Sequence, residues 1–342
     1  MDIVLNDLLK IRFEDGLLPL LQEEFSVWKG TFQDPDLVIE SGSALEVGTP
    51  VLPGASFSAN RYEIAGHGTL CSISSGKISC NGRLDEGFFD NTILKPVLIG
   101  LLAPKGWGLL HSTAASIGES VAVFPAITGT GKTFVLLELL RRGAGYVCNN
   151  NLIVGDDGRF VAYPKWIRLV ERHFRMFPEL LETAFADERE MRQYRSKISR
   201  LGFGNSVSGS NPISRLVKFY SKSAYFCHSV PSQTLFPGSE VRTTGKASHV
   251  FLLLRKKGQP RIVPSDAKRI ASFAPATSSL GHMALHRNLS RLAGLRYPSE
   301  DDIINVFGRF LEHVHCYEIH MGESFTRSEL SRIVDEIESR IA

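Results

Sequence analysis

The stretch Ala126-Ile127-Thr128-Gly129-Thr130-Gly131-Lys132-Thr133 constrains this chain more than any other. It follows the apolar run Val121-Ala122-Val123-Phe124 and precedes Phe134-Val135-Leu136-Leu137-Glu138-Leu139-Leu140, so the predicted order is strand, glycine turn, helix. A loop that cradles phosphate needs glycines that let backbone N–H groups turn inward, a lysine that reaches the terminal phosphates, and a hydroxyl for a metal ion. The helix adds its positive end. Thr128, Gly129, Thr130, Gly131, Lys132 and Thr133 are therefore the predicted nucleotide-binding residues, with Lys132 on the β- and γ-phosphates and Thr133 on the metal. Against the full pattern G-x-x-x-x-G-K-[ST], Ala126 stands where the first glycine belongs, and alanine reaches most but not all of the backbone angles open to glycine. The rival reading is a glycine-rich turn that happens to hold a lysine; the flanking strand and helix favour the nucleotide. The motif is silent on what is done with it.

With 342 residues the chain has room for two domains, or one with a sizeable appendage. An apolar fraction of 43% and a net charge of +3 are those of an ordinary globular protein, and no face rich in lysine and arginine argues for nucleic acid. The apolar run from Ile93 to Ala103 is broken by Lys95, Pro96 and Gly100 and is about half as long as a membrane span, so no membrane partner is expected. The acidic start Met1 to Asp7 lacks a basic segment and cleavage site, and a cytoplasmic location is expected. Five cysteines without a C-x-x-C pair fit reduced thiols better than disulfides or a zinc site. Cys71 and Cys80 bracket a predicted hairpin at Ser75-Gly76 and could face each other, but buried free thiols are the preferred reading.

Residues 1 to about 90 read as short extended segments, a small mixed α+β domain or β-rich layer. Phe89 to Leu102 has helical spacing, ended by Pro104 and Gly106. Strands are predicted around Trp107 to Ser116, at Tyr146 to Cys148, at Leu152 to Val154 and at Trp166 to Val170, with a tight turn at Gly155-Asp156-Asp157-Gly158. A helix through Leu180 to Phe185 and a charge-dense helix from Asp187 to Arg200 follow. Leu201 to Pro212 reads as a mobile loop, either a lid over substrate or a plain surface loop. His249 to Leu254 reads as a strand buried on both faces, and Arg255 to Arg261 as its hairpin turn, whose cations either meet phosphate or are solvated. A short alternating strand is expected from Val314 to His320, and two helices are announced by Ser299 with Asp302 and by Thr326 with Glu329. The last places Leu330, Ile333, Val334, Ile337 and Ile341 on one face.

Leu-His-Ser before the loop strand, the G-x-G-K-T loop, Arg-Arg-Gly-Ala after the helix, a polar pair before an apolar strand, a D-G turn and Pro164 together resemble the core of the HPr kinase-like proteins. The likeness runs from about Leu109 to Pro164, about a sixth of the chain, and no match to the second signature of true HPr kinases is present. It implies an α/β fold: an HPr kinase/PEP carboxykinase-like P-loop domain over residues 105–342, with a smaller mixed α+β domain over 1–104. It further implies Mg²⁺-dependent transfer of the γ-phosphoryl group of ATP, or GTP, to a hydroxyl on a peptide, protein or small molecule. The N-terminal domain and the 201–212 loop are where acceptor contacts are expected, and a homo-oligomer is compatible with the family.

One departure is chemical. The family carries an aspartate pair at what are here Asn149 and Asn150, handling magnesium and taking the proton from the attacking hydroxyl. An amide oxygen can ligate magnesium but cannot accept that proton at neutral pH. The resemblance thus makes Thr133, Asn149 and Asn150 the metal residues and His111, Lys132, Asn149 and Asn150 the catalytic set, with His111 near the acceptor. Bland readings stay open: a satisfied strand-end histidine for His111, a polar turn for the asparagines. The alternative function is a nucleotide-binding regulator or scaffold that has lost catalysis. A carboxykinase-like lyase is a third, lacking its further ligand signatures.

Overall fold

The computed structural model of the chain describes residues 1–14, 16–41, 49–52, 55–58, 61–64, 69–74, 76–81, 86–185, 187–192, 228–277 and 295–342. The protein is mixed α/β, built as several sheets with helices in each of its cores.

The first layer is an eight-stranded sheet of β1 (Asp2–Leu5), β2 (Leu9–Phe13), β3 (Leu37–Ser41), β4 (Thr49–Leu52), β5 (Ala55–Ser58), β6 (Arg61–Ile64), β7 (Thr69–Ser74) and β8 (Lys77–Asn81), in the order β1-β2-β3-β8-β7-β6-β5-β4. The hairpin expected at Ser75-Gly76 joins β7 to β8, and its register sets Cys71 directly opposite Cys80. Next come β9 (Trp107–Leu110), β10 (Ser112–Ile117), β11 (Ser120–Pro125), β12 (Gly145–Cys148), β13 (Leu152–Gly155) and β14 (Arg159–Ala162). The last strands are β15 (Ile167–Leu169), β16 (His228–Val230), β17 (Thr244–Lys246), β18 (His249–Arg255), β19 (Arg261–Pro264) and β20 (His315–Met321). They form a four-stranded sheet, β17-β14-β13-β9, a six-stranded sheet, β12-β10-β11-β18-β20-β19, and the pair β15-β16.

Several continuous apolar runs in this sequence, β11 and β18 among them, are strands buried on both faces. In β11, Val121 and Val123 face the four-stranded sheet while Ala122 and Phe124 face the helices; in β18, Val250 and Leu252 divide from Phe251 and Leu253 in the same way. The four-stranded sheet does likewise, with Leu152 and Phe160 inward and Ile153, Val161 and Tyr163 turned to the first layer, where they meet Phe25, Phe89 and Leu98. Against the outer face of the six-stranded sheet lie the helices Lys132–Arg141 and Arg327–Ile341, the latter burying Leu330, Ile333, Val334 and Ile337, with Ile341 half-buried. Both expected capping boxes form: Ser299 Oγ accepts from the Asp302 N–H at 3.1 Å and Thr326 Oγ1 from the Glu329 N–H at 3.3 Å.

Two expectations are corrected. Arg255 to Arg261 is not a hairpin turn: β20 lies between β18 and β19, parallel to the first along seven residue pairs and antiparallel to the second. Chain neighbours pair often but not always, and here a strand fifty residues on takes the place. The helix expected from Phe89 to Leu102 carries a π turn, Asp90–Leu94, between Glu86–Phe89 and Lys95–Leu102. The helix expected through Leu180 to Phe185 forms as Leu180–Ala184, with a further short helix, Glu171–Met176, ahead of it. The charged segment after Arg192 and the 201–212 loop lie outside the described residues.

Candidate functional site

Topology gathers the predicted residues at one sheet edge. Strands β11, β18 and β20 run parallel, and β12 runs the same way across the antiparallel β10. The carboxyl ends of all four therefore meet the start of β10 on a single side. That edge carries His111 ahead of β10, the loop 126–131 after β11, Asn149 and Asn150 after β12, Arg255 closing β18 and Met321 closing β20. The crevice outside strand carboxyl ends is where open α/β sheets bind ligands.

The loop has the conformation its glycines permit. Gly129 and Gly131 take φ of 87° and 124°, which side chains resist, whereas Ala126 is not among the residues of positive φ and fits its place without strain. A Cβ on Gly131 would meet Met321 and Phe325 at 3.5 Å, an ordinary contact, so it is the backbone angle that calls for glycine there. Thr130 Oγ1 donates to the Ile127 carbonyl at 2.9 Å and shapes the turn. Gly131 precedes the helix Lys132–Arg141, whose first N–H groups face the loop. Lys132, 6% exposed, donates Nζ to the carbonyls of Ala126 at 2.8 Å and Ile127 at 3.2 Å. Burial pushes its pKa down to about 7. Thr133 is half-buried and Thr128 exposed.

His111 is the hub. Its Nε2 lies 3.4 Å from Thr128 Oγ1, its own carbonyl accepts from the Ala126 N–H at 3.3 Å, and the backbone of Asn150 hydrogen-bonds the ring. Burial first, then the cations of Lys132 and Lys95, hold its pKa well below the usual imidazole value, so the ring is neutral. Asn150 takes a left-handed φ of 86°, which asparagine tolerates, and its carbonyl accepts from the Ser112 N–H at 3.1 Å. That kink follows Asn149, which is fully buried with both amide atoms lacking a hydrogen-bond partner among the described residues. Buried amides are ordinarily satisfied, so this orphan at a strand end makes Asn149 a candidate for a partner such as a water, an ion or a ligand.

Two groups go beyond the sequence reading, which places Arg255 only in a charged turn whose cations either meet phosphate or are solvated. Arg255 donates from Nη2 to the Gly129 carbonyl at 3.2 Å and from Nη1 to Gly322 at 2.8 Å, with its guanidinium 5.8 Å from the Phe325 ring centre. The second group is a buried ion cluster. Lys95 Nζ lies 3.1 Å from Asp90 Oδ2; Lys165 Nζ lies 3.3 Å from the same oxygen and also bonds Glu24, and Tyr163 donates its hydroxyl to Asp90. In an α-helix, positions five apart point well away from each other; the π turn brings Asp90 and Lys95 to one side. Burial drives the Lys95 ammonium down to about 8 against the pull of Asp90. Burial would raise Asp90, but Lys165 and Lys95 hold its carboxyl below the ordinary range. Through Lys95 the cluster reaches the electrostatics of His111. Charges from residues 24, 90, 95 and 165 leave no local pattern to read.

Among the described residues no group of three or more His, Cys, Asp or Glu side chains is placed to hold a metal ion. The oxygens available at the site are hydroxyl and amide, from Thr133, Asn149 and Asn150, and these suit a hard divalent cation that keeps several waters. No described helix is long and apolar enough to cross a membrane. No family model matches the chain, and no curated protein matches it.

Proposed function

We propose that the chain is a Mg²⁺-dependent kinase of HPr kinase-like P-loop fold, transferring the γ-phosphoryl group of ATP or GTP to a hydroxyl acceptor. The observation that carries this reading is the convergence on His111 of the loop, Lys132 and the Asn149-Asn150 turn at one sheet edge. Lys132 would leave the carbonyls of Ala126 and Ile127 for the β- and γ-phosphates, regaining its charge as they approach. Backbone N–H groups from Thr128 to Thr133 would hold the phosphates, and Thr133 with Asn149 or Asn150 the magnesium, which supplies charge neutralisation for transfer. His111, neutral and next to Thr128, is the group that can accept the acceptor's proton; an anion beside Lys132 offsets the cation that depresses it.

Incubation with ATP, Mg²⁺ and candidate hydroxyl acceptors tests this. ADP release that depends on acceptor and disappears in Lys132→Ala supports the kinase; absence of nucleotide binding overturns it. The second reading, a nucleotide-binding regulator without catalysis, is favoured by amides standing at positions 149 and 150. Tight nucleotide binding with no turnover for any acceptor would establish that instead.

A further inference from the structure

Beside the loop, on the same sheet edge, a cavity of about 440 Å³ is lined by Lys256, Lys257, Arg261, Arg332 and His320. These residues come from separate elements: the β18–β19 connection, the first residue of β19, the last helix and β20. The convergence follows from the strand order, because β20 entering between β18 and β19 forces their connection to arch over its end.

The floor is built. His320, 8% exposed, has Nε2 2.9 Å from Lys256 Nζ and 2.8 Å from Glu318 Oε2, while Arg261 Nε approaches its Nδ1 at 3.5 Å. Arg332 Nη2 donates to the Pro260 carbonyl at 3.3 Å, tying the last helix to the arch. Glu318 is the carboxylate of this floor, and it is already engaged by Arg269, His320 and Lys256. Burial alone would raise Glu318; these partners together bring it down to about 2. Its one negative charge therefore faces Arg269 and Lys256 already, and Lys257, Arg261 and Arg332 add cations to the same space. Like charges crowded round an open cavity repel one another and are stabilised by an anion that several of them share.

We propose that this cavity is a second anion site, taking a phosphate or pyrophosphate group of a small molecule, separate from the glycine loop. Arg255, adjacent in chain to Lys256, reaches the Gly129 carbonyl and so links the two sites.

Calorimetric titration with inorganic pyrophosphate at fixed ionic strength tests the proposal in Lys132→Ala, whose loop lacks its cation. Binding should persist there and weaken by about tenfold or more for each cation removed in Lys257→Gln and Arg332→Gln, the worth of one charge-assisted hydrogen bond. Pyrophosphate should also shift the His320 ring resonances in the unaltered protein, a readout independent of any variant's folding. Loss of all binding with Lys132→Ala, or binding indifferent to Lys257 and Arg332 with unmoved His320 resonances, would overturn it. Failure of the kinase reading would show separately, as absent ATP binding while pyrophosphate still binds.

Discussion

The ammonium of Lys132 donates to the carbonyl oxygen of Ala126 at 2.8 Å, so the loop's lysine is folded back on the residue that replaces the first glycine. The bond is local and buried, and it leaves the cation with carbonyl dipoles in place of a counter-ion. Burial alone accounts for the drop of its pKa to about 7.

A proton balance follows. Between pH 7 and the unfolded lysine value of 10.5 the unfolded chain holds a proton that the folded one lacks, so stability rises with pH across that window. A triphosphate restores the charge, so binding at pH 8 should take up a proton, and binding at pH 6 should not. Calorimetry in buffers of different ionisation enthalpy measures the uptake. Heats that do not vary with buffer ionisation enthalpy at pH 8 would contradict it.

Asn149→Asp places a carboxylate where the orphaned amide now lies. If a base is missing, acceptor phosphorylation should rise by about 10²–10⁴-fold. Without magnesium the same change should lower the melting temperature, since an unpaired buried carboxylate is costly, and magnesium should recover it. A variant that is neither faster nor metal-responsive would remove Asn149 from the site.

Arg142 joins the loop helix to the last helix: it bonds Glu138 at 3.0 Å, Asp335 at 2.5 Å, Glu338 at 2.9 Å and the Ser331 carbonyl at 2.8 Å. Glu138 has 1% of its side chain exposed and keeps Arg141 as a second partner. Arg142→Ala should cost about 2–3 kcal/mol, below the full value for stranding a buried charge because Arg141 remains. Urea unfolding of the single variants and of Arg142→Ala with Glu138→Gln would give the coupling; a loss under about 0.5 kcal/mol would mean the helices are held by their apolar faces alone.

Lys165→Met removes the cation from Glu24 and leaves Asp90 with Lys95 alone, and should cost about 2–3 kcal/mol at neutral pH, below the full value for stranding a buried charge because Lys95 remains. The depressed Asp90 carboxyl contributes stability above its ordinary value of 3.8 and loses it as pH falls. The variant should therefore show a flatter acid limb as well as lower stability. An unchanged acid limb in denaturation from pH 5 to 2 would separate Asp90 from Lys165.

What could be read in advance was local. The glycine loop, both capping boxes and the Ser75-Gly76 hairpin depend on residues within a few positions, and each forms where the spacing puts it. The β18 strand was legible because its apolar run has to be covered on both faces, and His249 to Leu253 are buried in a row. Its partner was not, since nothing near Arg255 foretells that β20 will enter beside it. At the site, Lys132 and the threonines speak through a motif, whereas Arg255 and the Glu24–Asp90–Lys95–Lys165 cluster exist only once distant segments meet.

The shared packing of Ile153, Val161 and Tyr163 under the first sheet has a practical meaning for anyone cutting the gene. A fragment beginning at residue 105 would carry a raw greasy wall together with Lys165 stripped of both its anions, and would cling to itself in solution. Among the described residues the shared wall runs unbroken across position 105, so useful truncations should start elsewhere, and a monodisperse fragment from 105 onward would say otherwise.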